Sequence, residues 1–571
     1  MKLIIREYLK TLNERDELDV LVPNLLSQMG LTVFSKPGRG NKQYGVDVAA
    51  YGKIGKEKPK VYLFSIKAGN LSNQDWNSGN KNDLRPSLDQ IRETYIRCHL
   101  PPKYKDKQIE ICLCFGGDLQ EDVRVDVTSY EDKYQEENIT FSEWNGEVLS
   151  SLIEKHFLRE QLLPNECQSL LRKSLAMIDI PESSQQYFSR LTHLLINKKF
   201  KNDDECLKAV RQLYLCLGIL ISWSKSKNNL ESACLSSEQS LLILWDKIKK
   251  YYNIKKKNKK VSGILELFQF YWMLTLNINN TFLDTKILPH VNKYYGLSKA
   301  IKSICPIDIN LKLFDILGRL ALYGFWNSFI FTKLSLEERD GDFGQSLIQK
   351  LHYYKDAIIL FISNNQILYS PCLDEQAIDI SLAVLFLVSL PDTKQFIHTW
   401  LSGMTKSIGF QLGQHLIYPC IFKDYEKLIR HPKNMSDEYR KEATASSILY
   451  PYIALFASLF DLKDVYKDIQ DIKNLIIQHC NFQLWYPDST SEDLFYTNED
   501  LHGSSLSSLN IKQDPEQFLA DVLNVCDSEP YFKELSAIKY GINPIILTAC
   551  RHYRLPIPID YFKFLIKTET N

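Results

Sequence analysis

Three polar side chains among the first 70 residues have the types and spacing to hydrolyse a phosphodiester bond. Asp47 lies in the apolar run GVDVAAYG, and Ser65 and Lys67 lie two residues apart in the next one, KVYLFSIKAG. Metal-assisted attack of water on a phosphate needs hard oxygen ligands beside the water and the phosphate. It also needs a cation to meet the developing negative charge. Side chains at i and i+2 of a strand point the same way, so a carboxylate on one strand and a ligand-x-Lys on its antiparallel neighbour face one cleft. Glu17, one turn ahead of Leu21 at the margin of a helical apolar stripe, offers a second carboxylate, and Glu14 competes with it for that role.

These residues need a sheet and a helix to hold them. Leu18, Leu21, Val22, Leu25, Leu26 and Met29 recur at helical spacing, which predicts an amphipathic helix over residues 16–29, stopped by Gly30. LTVFSKP reads as a short strand, and YGVDVAAYG and KVYLFSIKAG as two more, joined by the turn KIGKEKPK. RPSLDQIRETYIRCHL is a helix with Pro86 near its start, KQIEICLCFGG is a buried strand, and NITFSEWNG and EVLSSLIEKHFL close the unit with a strand and a helix.

A helix with a glutamate, then Gly-x-Asp on a strand, then x-x-Lys on the next, then a helix, resembles the PD-(D/E)XK, or restriction-endonuclease-like, nuclease superfamily. The likeness runs over about residues 10–115 and is greatest to its G-V-D branch, found in restriction and anti-phage defence proteins. The resemblance implies an endonuclease that uses Mg²⁺ or Mn²⁺ on DNA, with RNA left open by the residues. It implies that Asp47 binds metal, that Lys67 is catalytic, that Glu17 is the helix carboxylate and that the Ile66 carbonyl is the main-chain metal ligand. Ser65 departs from the pattern, which usually has Glu or Gln there. A hydroxyl is a shorter and weaker ligand, so Glu17 and water complete the shell, or metal binds more weakly, or the site is degenerate. Gln90 with Tyr95 resembles a Gln/Tyr pair of some branches, one residue further apart.

Charge agrees with this placement. Residues 1–110 hold 19 Lys+Arg against 13 Asp+Glu, a net of +6, and residues 111–160 hold 4 against 12, a net of −8. Lys36, Arg39 and Lys42 precede Asp47, and Arg85, Arg92 and Arg97 lie on or beside the following helix, where they are candidates to grip phosphates along with Gln90. The whole chain is neutral, with 69 residues of each sign, so overall charge selects no partner.

The composition changes near residue 165. The expected fold class is α+β for residues 1–163, a mixed sheet with flanking helices, followed by an all-helical region over 164–571 with a possible subdomain break near 253–262. Expected helices there include 204–222, 236–252, 263–277, 311–331, 377–390, 446–460 and 517–526. Such a region suits sensing, oligomerisation or docking of a partner protein, and the layout resembles regulated anti-phage effectors. The segment KIKKYYNIKKKNKK, residues 247–260, reads as a solvated loop, with a phosphate-binding patch as the second option. The 13 scattered cysteines have no zinc-ligand spacing and read as reduced thiols of a cytoplasmic protein. The run ATASSILYPYIALFASLF, residues 443–460, reads as a buried core helix and no membrane partner is expected. The rival to the nuclease reading is a non-catalytic helical scaffold carrying a degenerate nuclease fold.

Overall fold

Apolar runs bounded by glycine and polar turns build five strands in the N-terminal part. The computed structural model describes residues 2–36, 43–55, 57–81, 83–156, 165–254, 258–431, 436–497, 503–506 and 509–567. The chain divides into two compact units, Met1–Ser237 with Lys256–Leu267, and Glu238–Lys255 with Phe268–Asn571.

The first unit holds β1 (Thr32–Ser35), β2 (Val48–Gly52), β3 (Lys60–Lys67), β4 (Ile109–Phe115) and β5 (Ile139–Trp144), in that spatial order. The first two pairings are antiparallel and the last two parallel, so the sheet is mixed. β3 and β4 are apolar almost throughout because both sheet faces are covered there. The accompanying helices are α1 (Lys2–Thr11), α2 (Asp19–Gln28), α3 (Asn73–Asn77), α4 (Leu84–Gln90), α5 (Glu121–Tyr134) and α6 (Gly146–His156). A π-helical turn, Glu14–Leu18, leads into α2, and α4 continues as a π-helix over Ile91–His99. Val61, Leu63, Ile111 and Leu113 share one core with Leu88 of α4 and Val123 and Val127 of α5.

α1 and α5 went unforeseen. α1 buries Ile5, Tyr8 and Leu9 but interleaves them with charge: Lys2 and Arg6 pair with Glu147, and Arg6 also with Asp118. α5 buries only Val123, Val127 and Tyr130, a stripe too narrow to stand out. The unit continues beyond residue 163 through α7 (Asn165–Ala176), α8 (Pro181–Ile196) and α9 (Asp203–Ser226). α9 approaches α1 closely, since a Cβ at Gly218 would lie 2.5 Å from the Tyr8 hydroxyl. Among the described residues α9 is the one helix long and apolar enough to cross a membrane, and 83% of that stretch is buried.

Among its described residues the second unit is helical apart from two small ladders, Ser446–Ser447 with Asn481–Phe482 and Leu484–Tyr486 with Ser504–Leu506, and a single Leu373↔Cys420 bridge. The helix expected over 446–460 therefore begins at Leu449. Asp374 accepts hydrogen bonds from the Ser447 hydroxyl and from the N–H groups of Ile448 and Leu449, which caps that helix from outside and frees Ser446–Ser447 to pair as a strand. Further helices are α10 (Glu231–Ile248), α11 (Lys259–Phe282), α12 (Gly296–Ala300) and α13 (Pro306–Lys333). At the unit's centre Glu238, fully buried, meets Arg319 and Tyr323 of α13 and Arg551 of the helix Pro544–Tyr553. In the basic segment 247–260 the aromatic residues belong to the interior: Tyr251 is buried and Tyr252 packs on Trp245 and Tyr540. Lys249 pairs with Asp246 and Glu492, and Lys260 with Asp204, so both lysines are engaged within the protein.

Candidate active site

The edge of the sheet where β2 begins and β3 ends gathers the chemistry. β2 and β3 pair from Gly52↔Lys60 to Val48↔Phe64, so Asp47 lies one residue outside the ladder. Its N–H donates to the Phe64 carbonyl at 2.8 Å, and its Oδ2 accepts the Ile66 N–H at 2.7 Å. The main-chain groups of Phe64 and Ile66 thus turn toward β2, and alternation along the strand directs the Ile66 carbonyl to the same edge. Ala49 faces Leu63 across the pair, so Asp47, Ser65 and Lys67 belong to one side of the sheet.

Lys67 donates to Oε2 of Glu14 at 3.1 Å. Its side chain is 13% exposed and that of Glu14 36%. The helix carboxylate at Lys67 is therefore Glu14 and not Glu17. Glu17 turns back on its own chain and accepts from the Asn13 N–H at 2.6 Å and the Asn13 side-chain amide at 3.0 Å, closing the helix start. Burial pushes the Asp47 carboxyl up to about 6; the Ile66 N–H works against this, Glu14 raises it further, and Lys67 and Arg15 pull it down. Asp47, Glu14, Lys67 and Arg15 form one electrostatic group in which Asp47 is half-buried. Arg15 carries no signal in the sequence beyond its place next to Glu14.

The remaining expected residues are placed differently. Ser65 is buried, with 1% of its surface exposed. Lys36 is exposed but paired with Glu266 at 3.2 Å. Arg39 and Lys42 lie outside the described residues. Arg85, Gln90 and Arg97 are exposed on α4 and the π-helix. Tyr95 is buried whereas Gln90 is exposed. Arg92 lies 3.6 Å above the Tyr134 ring, where it packs and does not reach outward.

Gly45 fixes the turn that delivers Asp47. Its φ is +81°, and an added Cβ would sit 2.1 Å from the Ser87 carbonyl oxygen of α4. Gly45→Ala combines a left-handed backbone penalty with a clash against main chain, and about 2–4 kcal/mol of stability should be lost. Thermal unfolding measures this, and a melting curve superimposable on wild type would show that the turn adjusts freely.

Among the described residues no group of three or more His, Cys, Asp or Glu side chains is arranged to hold a metal ion. The donor chemistry at the sheet edge still suits a hard cation, which binds through one or two carboxylates and main-chain oxygen while keeping several waters. Asp47 and the Ile66 carbonyl would be its protein ligands, with Glu14 beyond them on Lys67. No protein-family model matches the chain, and no curated protein or solved structure is significantly similar to it.

Proposed function

We propose that the chain is a metal-dependent endonuclease of the PD-(D/E)XK type acting on DNA. The observation that carries this reading is the convergence of Asp47, the Ile66 main chain, Lys67 and Glu14 at one sheet edge. A bound Mg²⁺ or Mn²⁺ would polarise the phosphate and make water nucleophilic near neutral pH. Asp47 orients its carboxylate through the Ile66 N–H, and Lys67, steadied by Glu14, presents a cation toward developing phosphate charge.

Supercoiled plasmid is expected to be nicked and linearised by the full chain in Mg²⁺ or Mn²⁺ and to stay intact in excess EDTA. Cutting that persists in EDTA would remove the metal from the reading. The buried Ser65, and the small number of carboxylates, favour the second reading: a binding scaffold on a degenerate nuclease fold. DNA binding with no cutting under any divalent cation would select it.

The large helical region is read as the element that restrains or assembles the nuclease, since it exceeds what a catalytic core needs for support. A full chain that cuts at about 1 s⁻¹ or faster with no activating ligand would count against restraint.

A further inference from the structure

Three residues before Asp47 the chain makes a turn unlike the others among the described residues. Tyr44 has φ +50°. The other described non-glycine residues with positive φ, such as Asn228, His415 and Arg554, flank the ends of helices, whereas Tyr44 lies in the loop that feeds β2. From below, its ring packs against the main core of the sheet. The His99 imidazole stacks on it, with ring centroids 4.2 Å apart and planes 18° from parallel. His99 ends the π-helix and is exposed. The segment it opens is basic: between residues 97 and 107, Arg97, Lys103, Lys105 and Lys107 are exposed against a single carboxylate, Asp106.

A rigid stacked aromatic pair that reaches solvent amid cations has the chemistry of a surface for an unpaired nucleobase. Bases stack on aromatic rings whatever their identity, while cations follow the phosphates. A duplex keeps its bases stacked internally and offers none to such a ring. Three residues of chain span at most about 10 Å, which keeps Tyr44 within reach of Asp47.

We propose that the Tyr44–His99 stack is a platform for a nucleobase of a single DNA strand, placed upstream of the Asp47 site. Its role as a substrate contact rests on the nuclease reading; its capacity to bind a base does not.

The test uses the full chain in EDTA, where no cleavage intervenes. Fluorescence anisotropy compares a labelled thymidylate strand of about 12 nucleotides with an abasic strand of equal length and charge. Wild type is expected to bind the thymidylate strand more tightly than the abasic one. His99→Ala should weaken thymidylate binding about tenfold, the value of one lost base stack, leave abasic binding unchanged and be rescued by His99→Trp. Circular dichroism confirms that the variants fold, as expected for an exposed helix end. Equal binding of both strands by wild type, or unchanged thymidylate binding by His99→Ala, overturns the proposal. Equal weakening on both strands also overturns it, by assigning His99 to phosphate. Base-dependent binding by a chain that cuts nothing under any divalent cation would select the scaffold reading and keep the platform.

Discussion

Glu238→Ala is expected to cost the helical unit about 3–5 kcal/mol, because it removes the buried carboxylate that Arg319 and Arg551 share, although Arg551 keeps its pair with Asp315. Glu238 and Arg319 are 0% and 1% exposed, and Arg551 is 3% exposed. Oε1 of Glu238 accepts from Arg319 at 3.2 Å and from the Tyr323 hydroxyl at 2.9 Å, and Oε2 accepts from Arg551 at 3.2 Å. Arg319 also donates to the Asn279 side chain at 2.6 Å. One carboxylate thus ties α10 to α11, α13 and the helix Pro544–Tyr553. Hydrogen exchange of amides in α13 and Pro544–Tyr553 is the measurement, since it reads local opening within a multi-unit chain. Exchange in the variant should quicken by about two to four orders of magnitude; a change below about threefold would mean the cluster relaxes or hydrates without cost. The pH dependence has a definite sign. Burial pushes the Glu238 carboxyl up, but Arg319, Arg551 and His552 overcome it and hold it at about 2, below its ordinary 4.5. A depressed folded-state value means the contribution is complete above 4.5 and is lost as pH falls toward 2. The gap between wild type and Glu238→Ala should narrow over that interval.

Asp47→Asn and Lys67→Met are each expected to lower metal-dependent cleavage by at least about 10²-fold with the fold intact. Asparagine keeps an oxygen that can accept the Ile66 N–H, so the start of β2 should hold its place while the carboxylate charge is lost. Methionine keeps the stem of Lys67 without its charge and releases Glu14. Glu14 and Glu17 on the π turn separate site from scaffold: Glu14→Gln should reduce cutting, and Glu17→Gln should leave it unchanged while loosening the helix start at Asn13. Plasmid cleavage rates with matched melting curves decide the matter. Full activity in Asp47→Asn would remove this edge as the catalytic site.

The strands were legible because apolar runs are bounded by Gly45, Gly52 and Gly69, and the Asp47–Lys67 relation followed from alternation on a hairpin. What was hidden has identifiable causes. The stretch Glu14–Leu18 is π-helical, so each turn takes more residues than an α-helical count allows. Projecting an α-helical stripe backward from Leu21 therefore selects Glu17, while the backbone carries Glu14 to Lys67. The same slip affects Gln90 and Tyr95, which straddle the junction of α4 with its π-helical continuation. Lys36 was an exposed cation by its neighbours, yet its partner Glu266 is 230 residues away. Nothing local marks Glu238, because its arginines lie 81 and 313 residues distant.

The order in which the first unit's parts leave the ribosome differs from the order in which they find their partners. Each strand pairs with its sequence neighbour, so the sheet can grow vectorially as the chain is made. α1 is synthesised before the sheet, yet its ionic partners Asp118 and Glu147 and its close neighbour Gly218 come much later. A nascent chain would therefore carry a finished sheet while Tyr8 still lacked α9. Stalled or truncated translation products ending before Asp203 should for that reason be the aggregation-prone and chaperone-dependent ones, even though they already contain Asp47, Ser65 and Lys67.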